Sequence, residues 1–78
     1  MNNDTLLRRE ALADALTAAG FPVTKATLAT KASRGGGPPF RSFGRVPLYH
    51  WGDALAWAEG KLSSPRGSTS EADAKDVA

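Results

Sequence analysis

Leu12, Ala15, Leu16 and Ala19 recur at three- and four-residue intervals, with Glu10, Asp14 and Thr17 on the other side of the same turn pattern. Apolar residues at that spacing form one stripe of an α-helix, so the pattern predicts a first helix over about Leu7–Ala19. Its alanines add helix propensity and allow close packing. Gly20 supplies the stop, because glycine tolerates the left-handed conformation that ends many helices. Phe21-Pro22-Val23 makes a short link. Pro22 disfavours helix at Phe21, and Phe21 and Val23 can plug the gap between two helices. Thr24 is a natural N-cap. The second helix then runs from about Lys25 to Ser33, with Leu28 and Ala32 inward and Lys25, Thr27, Thr30 and Lys31 outward.

Gly35-Gly36-Gly37-Pro38-Pro39 ends that helix. Phe40–Phe43 and Val46–Tyr49 are short runs of strand formers, and Gly44-Arg45 between them suits a two-residue hairpin turn. Pro47 lacks a donor N–H, which predicts an edge or irregular strand. A last helix is expected from Trp51 or Gly52 to Leu62. The segment Ser63–Ala78 is mostly small and polar, with Ser, Pro, Gly, Ala and Asp, one valine and no aromatic residue. It carries too little apolar surface to offset the entropy of ordering and reads as disordered. The expected organisation is a flexible N-terminus at 1–6, one domain over 7–62 and a disordered tail at 63–78. The fold class is mainly α with a small β-hairpin.

With 78 residues, the chain suffices for one small domain. There is no cysteine, which excludes disulfides, thiolate chemistry and cysteine metal sites. His50 is the single histidine and cannot build a zinc site alone. No apolar run approaches the ~20 residues of a membrane span, and no start resembles a signal peptide, so a cytoplasmic protein is expected. Net charge is only +2, but no acidic residue lies between Asp14 and Asp53, an interval that holds Lys25, Lys31, Arg34, Arg41, Arg45 and His50. A one-signed middle between mixed-sign ends is the footprint of a face that meets an anion; a solvated basic surface without a partner is the alternative.

The expected order is helix, tight turn, helix, hairpin, helix. Two short helices joined by a short turn containing glycine form a helix-turn-helix unit, whose second helix presents its N-terminal turns to base edges in the major groove. A following hairpin is a wing, and a tip carrying Arg45 can reach backbone or minor groove. Together these predict a winged helix-turn-helix that binds double-stranded DNA.

The segments carrying that order are Leu7-Arg-Arg-Glu-Ala-Leu-Ala-Asp-Ala-Leu, Phe21-Pro-Val-Thr-Lys-Ala-Thr-Leu, Gly35-Gly-Gly-Pro-Pro-Phe, Gly44-Arg-Val-Pro-Leu-Tyr and Asp53-Ala-Leu-Ala-Trp. As an ordered set over about Leu7–Leu62, they resemble the excisionase-type group of small MerR-like winged helix domains. The resemblance implies a bacterial protein, often of a mobile element. It could be a recombination directionality factor that loads on attachment-site DNA and assists an integrase, or a small transcription regulator. It implies fold and DNA binding more strongly than excision. The chain departs from the group where Arg8 replaces the usual Thr or Ser cap. Ala54 and Ala58 stand in place of bulky aliphatics, and Leu55 in place of a polar residue.

The candidate DNA contacts are Thr24, Lys25, Thr27, Thr30 and Lys31 on the second helix, with Arg34, Arg41 and Arg45 around the wing. The threonines suit bases or thymine methyls and the cations suit phosphate or guanine. Each could instead be a solvated surface group. Phe40, Phe43, Tyr49 and Trp57 are expected in the core rather than as a stacking platform. Trp51, Leu55 and Leu62 form an apolar arc on the last helix, either core or a self-association patch. The latter would serve further copies on adjacent sites, or a protein-interaction module as an alternative function. No nucleophile, second histidine or carboxylate pair accompanies His50 and Asp53, so no catalytic residue, metal or cofactor is expected.

Overall fold

The computed structural model describes residues 1–65 and 67. Most of the expected disordered tail at 63–78 lies outside the described residues. Three helices fall where the periodicity puts them: α1 (Arg9–Ala18), α2 (Lys25–Arg34) and α3 (Trp51–Gly60). The β component is larger than expected. It is a three-stranded antiparallel sheet of β1 (Leu6–Arg8), β2 (Arg41–Phe43) and β3 (Val46–His50), in the order β1-β3-β2. The class is therefore mixed α and β rather than helices with a lone hairpin.

The largest departure is at the N-terminus. Residues 1–6, expected to be flexible and followed directly by helix, instead lead into β1, which pairs along β3 as Leu6 with His50, Leu7 with Tyr49 and Arg8 with Leu48. The stretch before it closes the start of α3. His50 gives that helix no side-chain cap, and the first N–H groups of a helix need acceptors. The Trp51 N–H donates to the Thr5 carbonyl at 2.9 Å and the Gly52 N–H to the Asn3 carbonyl at 2.9 Å. Gly52 also makes room for this crossing, since a Cβ there would lie 2.8 Å from the Asn3 Cβ.

Within α1, Leu12, Ala13 and Leu16 are buried. Arg8 indeed provides no side-chain cap. Gly20 adopts a φ of 103° after the helix, and the Phe21 N–H donates to the Leu16 carbonyl at 2.8 Å. Thr17 does more than face solvent. Its hydroxyl donates to the Val23 carbonyl at 3.2 Å and accepts the Val23 N–H at 3.3 Å, clasping the interhelical link. Thr24 caps α2 as expected, accepting the Thr27 N–H.

The inner face of the sheet carries Leu7 and Tyr49, and α1 and α3 pack against it. The core joins Leu12, Ala13 and Leu16 to Leu28 of α2, Tyr49 of β3, and Trp51, Ala54 and Ala58 of α3. Leu7, Ala15, Phe21, Val23, Leu55 and Trp57 pack around it, half-buried. The helix α2 rests on α1 rather than on the sheet. Pro47 sits in the central strand, not in the edge strand expected. It lies opposite Ser42 of β2, beyond the last β1 pair at Leu48, so it has a strand on one side only.

Two aromatic expectations fail. Phe43 is 75% exposed and Phe40 42% exposed, whereas Tyr49 is buried. Side chains alternate across a sheet, and the register puts Phe43 on the face opposite Tyr49. Phe40 remains near the core edge, its ring 5.5 Å from that of Tyr49. Among the described residues, no helix is long and apolar enough to cross a membrane.

Candidate functional site

At about 100° per residue, Thr27, Thr30 and Arg34 lie on the side of α2 away from Leu28 and Ala32, with Lys31 at its flank. Thr27, Thr30 and Arg34 are exposed and Lys31 is half-buried. This outer arc contains no acid. The first turn of α2 has none of its own either, and Lys31 and Arg34 occupy the last turn. The two capping hydroxyls have different roles. Thr24 Oγ1 accepts the Thr27 N–H at 3.1 Å and donates its proton to Thr27 Oγ1 at 3.0 Å. Thr24 is thereby committed to the cap, while Thr27 keeps its own O–H to donate outward.

Lys25 is set apart from that arc. It stands on the α1 side of the helix, its Nζ 3.9 Å from Glu10 Oε2, with both side chains mostly exposed. Such a pair contributes little. Lys25 lines a groove of about 510 Å³ with Arg8, Arg9 and Glu10 of the β1–α1 junction, Asp14 farther along α1 and Arg45 of the hairpin turn. Gly44, with a φ of 65°, makes the turn that puts Arg45 there. The hairpin tip and the start of α2 are thus brought to one groove, although 20 residues of sequence separate Lys25 from Arg45.

The arginines of that groove differ. Arg9 Nε donates to the Tyr49 hydroxyl at 2.9 Å. Its guanidinium carbon lies 5.9 Å from the ring centres of both Phe40 and Tyr49. It is a structural cation that ties α1 to β3. Arg45 is exposed. Arg8 stands at the rim, between the groove and the outer face of the sheet. The contribution of the N-terminal arginines was not read from the sequence. The short Leu6-Leu7 pair is the only local signal of the strand that positions them.

Arg41 is separated from the other candidates. It pairs with Leu48, which pairs in turn with Arg8. Paired residues share a face, so this row lies on the outer side of the sheet, with Leu6, His50, Val46 and Phe43 above and below it. The helices cover the opposite side.

The apolar arc expected on the last helix does not form one patch. Trp51 is in the core at 8% exposure, Leu55 is half-buried against that core, and Leu62 lies beyond the end of α3 at 65% exposure. Trp57 is half-buried, and its Nε1 donates to the Gly36 carbonyl at 2.9 Å, tying α3 to the glycine loop after α2. Among the described residues, no three His, Asp or Glu side chains converge as metal ligands. No protein-family model, curated protein or solved structure matches the chain.

Proposed function

We propose that this protein is a winged helix-turn-helix DNA-binding protein, with α2 as the recognition helix and the β2–β3 hairpin as the wing. The observation that carries the reading is the acid-free outer arc of a helix braced by α1, with a cationic hairpin tip reaching the groove at that helix's start. Thr27 and Thr30 meet base edges in the major groove in this reading, and Lys25, Lys31, Arg34 and Arg45 hold phosphates. Thr24 acts through the cap, and Arg41, on the far side of the sheet, stays outside the interface. The chemistry is binding and not catalysis.

Within this reading the motif order favours an accessory factor of recombination in a bacterial cell, loading on attachment-site DNA beside further copies and assisting an integrase. A small transcription regulator of the same fold is the runner-up. The two separate experimentally. Stepwise loading on attachment-site duplex, with stimulated excision when integrase is added, supports the first; binding confined to a promoter supports the second. A single module of this size covers only about 600–1,000 Å² of its own surface on DNA, which is why adjacent copies are part of the proposal.

Salt dependence tests the reading itself. Neutralising about four phosphates with Lys25, Lys31, Arg34 and Arg45 gives a slope of log affinity against log salt of about −3.6, and each Lys31→Ala or Arg34→Ala change removes about 0.9 of it. A flat salt response on duplex DNA, or a double variant with the wild-type slope, refutes the interface.

A further inference from the structure

We propose that the outer face of the sheet is a docking surface for an acidic amphipathic helix of a partner protein. An antiparallel sheet with one face to water ordinarily turns polar residues outward. This one does not. The register puts Leu6, Val46, Leu48 and Phe43 on the outer face, with Phe43 75% and Leu6 49% exposed. A lone exposed leucine needs no explanation, but apolar side chains gathered on one unlayered face mark an interaction site.

Charge complementarity selects the occupant. Arg8 and Arg41 flank Leu48 in a single cross-strand row. Among the described residues, neither guanidinium has a hydrogen bond or ion pair, and no acid lies on the face. Arginine and aromatic side chains around an apolar centre are what protein interfaces concentrate. Two strand spacings separate the arginine Cα atoms by about 10 Å. A helix places residues i and i+7 about 10.5 Å apart, with i+3 and i+4 between them on the same side. Carboxylates at i and i+7 therefore reach both arginines, while leucines at i+3 and i+4 cover Leu48 and Phe43. The long arginine side chains tolerate a range of crossing angles. A helix on this face also completes a second layer over the sheet, the usual means of covering an apolar sheet face. The ring side chains on the face are Phe43 and the half-buried His50, too few for a single-stranded nucleic acid that stacks base after base. The site lies across the sheet from the helices and does not depend on the DNA reading.

The test uses the full chain, isotopically labelled, titrated with a synthetic helical peptide carrying Glu at i and i+7 and Leu at i+3 and i+4. A matched peptide with Lys in place of Glu is the control. The expected result is saturable shifts of β1, β2 and β3 amides with the acidic peptide alone, and binding at least about tenfold weaker in Phe43→Ser or Arg41→Glu. Phe43 and Arg41 are exposed, so unchanged thermal melts establish that these variants fold. Any of the following overturns the proposal: no saturable shift, equal binding of the Lys peptide, shifts confined to α2, or the same sheet amides moving with an oligonucleotide instead. Sedimentation showing a dimer of the free chain that Phe43→Ser dissolves also overturns it, since a second copy then covers the face.

Discussion

Leu28→Ala probes the attachment of the proposed recognition helix. Leu28 is the buried residue of α2, fully enclosed at 0% exposure, while Ala29 and Ala32 beside it are half-buried. The rest of the helix is exposed or lateral, so its hold on α1 passes largely through one side chain. Fully buried Leu→Ala changes cost about 2–5 kcal/mol, from lost transfer energy plus the cavity. The neighbouring alanines leave the site near the surface, where it can partly collapse, which sets the expectation at about 3 kcal/mol. A domain with about 60 ordered residues has about 3–9 kcal/mol in total, so the variant retains little stability. Thermal circular dichroism should show a midpoint about 12–24 °C lower. Hydrogen exchange should show α2 amides exchanging about a hundredfold faster, with smaller changes in α1 and β3. A midpoint shift under about 5 °C, with α2 protection intact, refutes the claim that Leu28 anchors the helix.

Other expectations follow from single contacts. Thr24→Ala removes the acceptor for the Thr27 N–H and should cost about 1 kcal/mol in denaturant midpoint, with Thr24→Ser recovering most of it; equal stability of all three forms contradicts the capping role. Gly35 has φ 91° and ψ 168°, with nothing within 4 Å of a built Cβ. Gly35→Ala should therefore cost about 1–3 kcal/mol from the backbone alone, and a neutral result means that the helix end relaxes freely. Tyr49→Phe deletes the acceptor for Arg9 Nε. It should lower stability by about 1–2 kcal/mol, and an unchanged melting midpoint shows that this bond contributes nothing.

The helices were legible because their information is local. Three- and four-residue apolar spacing, the Thr24 cap, and Gly20 and Gly44 at positive φ each act within a few residues. The acid-free interval is likewise a property of the sequence, and so is the outward placement of Thr27, Thr30 and Lys31 on the second helix, whereas Lys25, expected beside them, turns toward α1 and Arg34, expected at the wing, belongs to α2. The sheet was not legible in the same way. A three-residue strand such as β1 has no period to read, and its only reason to exist is β3, some 40 residues away. Register is also non-local, and a one-residue change reverses every side chain between core and solvent. That choice sent Tyr49 inward and Phe43 outward and put Arg41, expected with the wing cations, on the outer side of the sheet. Tertiary packing likewise put Trp51 in the core and brought Arg45 to Lys25. The chain alone determined which segments are helices and where the positive charge runs; only the pairing of distant strands decided which of those charges stand together.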